Sequence, residues 1–255
     1  MPTLKDTLLK SKHKLLSIYF TAGFPKIQDT IPILKALSKA GVDFIEIGLP
    51  FSDPLADGPT IQHSSETALK NGMNTTLLFE QLTNIKTHVN VPLILMGYFN
   101  PILQFGVEPF CQKCKTVGIE GLIIPDLPLE EVEQHYLKLF KKYALAPIFL
   151  VTPETPIARI RKIDAVCNDG FIYAVSNSGT TGANAEFNNS QITYLKKLES
   201  LNLENPLIVG FGIHNKTSFA AATTNTKGAI VGSAFIKMLA HQGIKGVNDF
   251  VSQLR

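Results

Sequence analysis

Glu46 interrupts the run Asp43-Phe44-Ile45-Glu46-Ile47-Gly48, which otherwise reads as an apolar strand. Burial strips water from a carboxylate, disfavours its charged form and raises its pKa. Such a group either belongs to a hydrogen-bonded polar layer or keeps a proton for transfer, and its place near a strand end favours transfer. Asp57 follows on the adjoining segment, in Pro50-Phe51-Ser52-Asp53-Pro54-Leu55-Ala56-Asp57-Gly58-Pro59. By itself an Asp-Gly-Pro is a turn. Beside Glu46 it supplies a second carboxylate in an unlike setting, the arrangement in which acid and base roles separate.

A second group of residues suits an anion. Glycines stand at three late strand ends: Ser178-Gly179-Thr180-Thr181-Gly182, Gly210-Phe211-Gly212 and Gly232-Ser233. Glycine lets backbone N–H groups approach an anion closely, and Ser233 opens a helical run whose N-terminus favours negative charge. The substrate is therefore expected to be a small molecule carrying a monophosphate. Cys111 and Cys114 form a C-x-x-C pair, but they fall on the apolar helical stripe Val107, Phe110, Cys111, Cys114, Val117. No further cysteine pair or nearby histidine completes a tetrahedral site, so core packing is expected and no metal.

These groups need a scaffold that brings strand ends together. Eight short β-rich runs alternate with helical patterns: Leu16 to Thr21, Asp43 to Gly48, Pro92 to Gly97, Glu120 to Pro125, Leu145 to Val151, Gly170 to Ser176, Pro206 to Phe211 and Gly228 to Gly232. Several are continuously apolar, as parallel strands buried on both faces must be. Helical stripes fill the gaps. Ile33, Leu34, Leu37 and Ala40 end at Gly41, and Leu77, Leu78, Leu82 and Ile85 precede the third strand. Pro128 leads into Leu129, Val132, Tyr136 and Phe140. Thr155-Pro156 predicts a helix start with proline at the first helical position, and Asn215 a helix cap. Eight such units predict a closed (β/α)8 TIM barrel of the α/β class, residues 1–255 forming a single domain. An open doubly wound sheet fits less well, since no Gly-rich nucleotide turn follows the first strand. Barrel chemistry sits on the loops after the strands. Two of these read as long, Leu49 to Met73 and Asn177 to Asn189, the latter rich in Gly, Ser, Thr and Asn as a lid would be.

The chain has 255 residues, 45% of them hydrophobic, and a net charge of +3 with its basic residues scattered. That balance disfavours nucleic acid as a partner. The polar segment Met1 to Lys14 lacks an apolar stretch suited to a signal peptide or membrane span, and the odd number of cysteines fits a reducing compartment, so a cytoplasmic location is expected.

The segment Phe44-Ile-Glu-Ile-Gly-Leu-Pro-Phe-Ser-Asp-Pro-Leu-Ala-Asp-Gly-Pro-Thr-Ile-Gln62 resembles the signature of tryptophan synthase alpha chains. The resemblance extends through Phe20 to Pro25, Leu95 to Pro101, Pro125 to Pro128, Ser178 to Gly182, Val209 to Ile213 and Val231 to Ala234. It implies retro-aldol cleavage of indole-3-glycerol phosphate to indole and glyceraldehyde 3-phosphate. By the same resemblance Glu46 is the general acid-base glutamate, and Asp57 is the aspartate that bonds the indole N–H. Tyr19, Tyr98, Tyr173 and the lid residue Thr181 line the substrate. Gly182, Phe211, Gly212, Gly232 and Ser233 hold the phosphate. Tyr19 stands where many members have phenylalanine, and Asn177 where some have arginine. The family implies no cofactor in this chain, and a complex of two alpha and two beta chains that passes indole to a pyridoxal-phosphate beta subunit. The loop around Asp53 and the helix after Asn100 would face that partner. The alternatives are a free-standing lyase that releases indole, and a catalytically silent subunit, against which the intact Glu46 and Asp57 speak.

Overall fold

Runs of apolar residues with nothing polar to leave in water become strands covered on both faces. They are β1 (Leu15–Thr21), β2 (Phe44–Gly48), β3 (Leu93–Met96), β4 (Ile119–Ile123), β5 (Ala146–Val151), β6 (Ile172–Val175), β7 (Leu207–Gly210) and β8 (Gly228–Val231). Every residue of β1, β2, β6, β7 and β8 is buried. A computed structural model describes residues 2–55, 57–175, 189–210 and 212–255. Among them the strands close, all parallel and in sequence order, into a barrel with β8 paired to β1.

Helices cover the outside. They are α1 (Leu4–Lys10), α2 (Thr30–Ala40), α3 (Pro59–Lys70), α4 (Thr75–Gln81), α5 (Phe99–Phe105), α6 (Val107–Val117), α7 (Leu129–Glu131), α8 (Leu137–Lys142), α9 (Ile157–Val166), α10 (Asn189–Ser200), α11 (Lys216–Thr223), α12 (Ser233–Gln242) and α13 (Val247–Leu254). The predicted signals at several ends are present. Gly41 ends α2 in the left-handed region at φ 84°, which glycine adopts without a Cβ clash. Asn215 caps α11 in a capping box with Ser218. Cys111 and Cys114 pack fully buried on α6.

Other readings need correction. The supposed long loop Leu49 to Met73 holds α3, because Pro59 at the first turn and the buried stripe Ile61, Ser64, Ser65 and Ala68 make its second half helical. The stripe Leu77 to Ile85 is not one helix: α4 stops at Gln81, Asn84 turns left-handed at φ 61°, and a short 3-10 turn carries Ile85. The segment after Pro128 is interrupted by a π turn at Val132–Tyr136. Pro156 is extended and precedes α9 rather than opening it, while Thr155 Oγ1 accepts from the Thr152 N–H at 2.9 Å instead of capping. The loop Asn177 to Asn189 lies outside the described residues except for Asn189, which begins α10.

The register identifies which side chains fill the barrel. The rings of Phe44 on β2 and Phe171 at the entry to β6 lie 5.6 Å apart, although these strands are not sheet neighbours, so the contact crosses the interior. Side chains alternate along a strand. Glu46 and Tyr173, two residues further on, therefore point inward one layer higher. Tyr19 pairs with Glu46 in the β1–β2 register and joins the same layer. At the opposite end α1 plugs the barrel: its Leu4 side chain lies 3.3 Å from where a Cβ on Gly121 would stand, and its Leu4 N–H donates to Glu120 Oε2 at 2.6 Å.

Candidate active site

β2 delivers Glu46 to the upper interior with 1% of its surface exposed, and its Oε2 meets no hydrogen-bond partner among the described residues. Burial, reinforced by the negative charge of Asp57, raises its pKa to about 8. Asp57 arrives by a different route. Its N–H donates to the Pro54 carbonyl at 3.0 Å and its own carbonyl accepts from Gln62 Nε2 at 2.9 Å, which fixes the turn that enters α3. Burial raises the Asp57 carboxyl to about 6, against the opposing pull of the Tyr98 hydroxyl, which donates to Asp57 Oδ2 at 3.3 Å. Tyr98 immediately precedes α5, and its ring stacks on Phe51 at 4.9 Å.

Two carboxyls with separated pKa values form an acid and an anion at neutral pH: Glu46 holds its proton below about 8, and Asp57 is charged above about 6. Two buried tyrosines flank them. Tyr19 and Tyr173 are both held well above the ordinary phenol range, first by burial and then by the nearby carboxylates. Glu46, Asp57, Tyr19, Tyr98 and Tyr173 thus lie together at one end of the barrel interior.

Of the residues expected to hold phosphate, Gly212, Gly232 and Ser233 are described. Gly212 follows β7 at φ 77°, with nothing within 4 Å of the position of a Cβ. Gly232 precedes α12, whose first residue is Ser233 and whose N-terminus has no side-chain cap. The neighbouring α11 is already closed by its Asn215–Ser218 box. Free N–H groups at the top of β8 therefore come from α12. A Cβ on Gly232 would stand 3.4 Å from Tyr19 Cδ1, so this turn adjoins the carboxylate layer. Thr181, Gly182, Phe211 and Asn177 lie outside the described residues.

Sequence reasoning missed the roles of four residues, one of which, Gly210, it had grouped with the anion-suited glycines. A Cβ on Gly48 would overlap the Tyr19 hydroxyl, and one on Gly210 the Tyr173 ring. Both glycines clear space for the tyrosines, a role that glycine inside a strand can signal. Thr21 and Ser64 are buried hydroxyls joined at 2.6 Å between β1 and α3, and nothing in their local sequence marks them. Among the described residues no group of three or more His, Cys, Asp or Glu side chains is gathered to hold a metal ion, and no helix is long and apolar enough to cross a membrane.

Comparison with known proteins agrees with this geometry. Residues 6–253 match the family model described as tryptophan synthase alpha chain. The chain is similar to the tryptophan synthase alpha chain of Flavobacterium psychrophilum, with 57% identity over 96% of this chain and 97% of the relative. It is also similar to that of Bacteroides thetaiotaomicron, with 51% identity over 95% and 94%. Among solved structures, the tryptophan synthase subunit alpha of Legionella pneumophila superposes with a TM-score of 0.88 at 31% identity, covering 100% of this chain and 97% of the other. The A-subunit of Pyrococcus furiosus superposes at 0.85 and 31% identity, covering 94% and 97%. An interior glutamate and a rim aspartate at the mouth of a parallel barrel thus coincide with a match along nearly the whole sequence: the chain belongs to the tryptophan synthase alpha chain family, the lyases that cleave indole-3-glycerol phosphate to indole and glyceraldehyde 3-phosphate in tryptophan biosynthesis.

Proposed function

We propose that Glu46 is both the acid and the base of this cleavage and that Asp57 is its fixed anion. The protonated Glu46 carboxyl gives its proton to indole C3, which turns the ring into a cationic electron sink. The resulting Glu46 carboxylate then takes the proton of the side-chain hydroxyl on the adjoining carbon. That carbon becomes the aldehyde of glyceraldehyde 3-phosphate, the bond to C3 breaks, and its electron pair neutralises the ring. Glu46 ends protonated, as it began. Asp57 accepts the ring N–H and stabilises the positive charge while it lasts. Tyr19, Tyr98 and Tyr173 line the ring, and the phosphate rests on the backbone N–H groups of Gly212, Gly232 and Ser233. Thr181, Gly182 and Phe211 enter this reading on sequence alone. No cofactor is assigned to this chain.

The observation that carries the reading is the buried Glu46 carboxyl with a pKa of about 8 and an unpartnered oxygen, set beside an Asp57 that ionises at about 6. The whole chain acts as one barrel domain, supported by a continuous core from Leu4 to Leu254. A complex of two alpha and two pyridoxal-phosphate beta subunits completes the pathway step. It is supported by Leu55, 90% exposed beside Asp53, and Leu103, 51% exposed on α5, two apolar side chains where a partner is expected. Three free, buried cysteines suit the reducing cytoplasm.

Purified chain incubated with indole-3-glycerol phosphate should release indole slowly alone and faster with a beta subunit. Equal rates would favour a free-standing lyase. Glu46→Gln should lower indole formation at least ~10²-fold while the chain stays folded, and near-normal turnover would remove Glu46 from the mechanism.

A further inference from the structure

The Tyr19 hydroxyl ends a line of three hydroxyl groups that leads out of the barrel. Ser64 Oγ on α3 donates to the Ile61 carbonyl at 2.8 Å. A carbonyl only accepts, and each hydroxyl has one proton to give, so every group in the line finds a partner when Ser64 gives its proton to Ile61. In that arrangement Thr21 is the donor across the 2.6 Å contact with Ser64. With its own proton spent on Ser64, Thr21 can only accept across the longer 3.4 Å contact with Tyr19. In that arrangement the polarity runs from Tyr19 to Thr21 to Ser64 to the helix backbone. Ser64 and Thr21 have 0% of their surface exposed, so no bulk water competes for these protons.

The other end of this line lies in the catalytic layer. Tyr19 pairs with Glu46 in the β1–β2 register, and its hydroxyl rests over Gly48, two residues beyond Glu46 on the same inward face. Among the described residues, Asp57, Tyr98 and Tyr173 are the other titratable groups acting on this pair, from the β2–α3 loop, the N-terminal end of α5 and β6. A phenol left to itself among carboxylates would turn its proton toward them.

We infer that Thr21 and Ser64 are positioning residues for the reaction: they turn the Tyr19 proton away from Glu46, so that the negative end of the phenol dipole faces the carboxyl and keeps it loaded with its proton. This rests on the reading of Glu46 as the acid. The line also fastens α3, and with it the Asp57 turn, to β1, so a purely structural role is the competing explanation.

The pH profile of kcat/KM separates them, because it reports the ionisation of the free enzyme. Thr21→Val should free the Tyr19 proton to turn toward the carboxylates and move the alkaline limb to lower pH, by at most about one unit, the bound set by one hydrogen bond to a charged group. Ser64→Ala, which deletes one oxygen from a helix, should move it in the same direction. Thr21→Ser should restore it. With Tyr19→Phe as background there is no phenol proton to redirect, so Thr21→Val should move nothing further. An unmoved limb in both Thr21→Val and Ser64→Ala overturns the inference. So does a shift that persists in the Tyr19→Phe background, which would place the effect in the anchoring of α3. Glu46→Gln tests the underlying reading separately: the alkaline limb should vanish from its residual activity, and a limb that survives belongs to another group.

Discussion

Replacing Glu46 with glutamine should stabilise the protein at alkaline pH while abolishing its chemistry. The side chain is 1% exposed, its Oε2 is unpartnered, and its pKa rises from 4.5 to about 8 on folding. The native state therefore keeps a proton that the unfolded chain releases above pH 4.5. Stability contributed by this group is fully present below that value, falls as pH rises, and levels off above about 8. Each pKa unit corresponds to about 1.4 kcal/mol, so the whole drop is about 5 kcal/mol, comparable to the entire stability of many domains. Glutamine has the same shape and no charge to desolvate. Urea denaturation followed by far-UV circular dichroism, which needs no tryptophan, should give similar midpoints for the two proteins near pH 4. At pH 9 the variant should be ahead by about 5 kcal/mol. Asp57 contributes to the Glu46 shift, so the same comparison in an Asp57→Asn background should show a smaller gap. If the two stability curves run parallel from pH 4 to 9, Glu46 is not a buried acid that folding forces to stay protonated, and the basis for its role falls.

Asp57→Asn should lower indole formation by at least ~10² and remove the acid limb near pH 6 from the rate profile; an unchanged limb would assign it elsewhere. Gly212→Leu places a side chain at φ 77° in the space where the phosphate is expected. Calorimetry should show weakened glycerol phosphate binding with indole binding little changed, whereas equal weakening of both would indicate misfolding. Asp164 accepts from the Glu204 and Asn205 N–H groups and from Asn205 Nδ2, each at 2.9 Å, on the outer side of the barrel. Asp164→Ala should cost about 2–4 kcal/mol in chemical denaturation and leave turnover per folded molecule unchanged.

What could be read along the chain is what local chemistry specifies. Continuous apolar runs predicted eight strands buried on both faces, and each appears within a few residues of its expected limits. Gly41 and Asn215 mark helix ends because a left-handed turn and a side-chain cap are properties of single residues. Glu46 stood out for the same reason, as a charge in a strand with no place for one. Reading failed where a neighbour distant in sequence sets the outcome. The helical half of the segment from Leu49 to Met73 was obscured by its polar residues, although Ser64 and Ser65 are buried against the barrel.

The site itself belongs to closure. Tyr98 and Asp57 meet across 41 positions of chain, and Tyr19, Glu46 and Tyr173 share a layer because β1, β2 and β6 wrap around one interior. The Glu46 pKa of about 8 follows from that enclosure and from the Asp57 charge held beside it. The sequence determined which residues were available for chemistry, since residue type and period are local. Only the tertiary structure decided their proton affinities and partners, because desolvation and Coulomb interactions depend on distances that the barrel register alone sets.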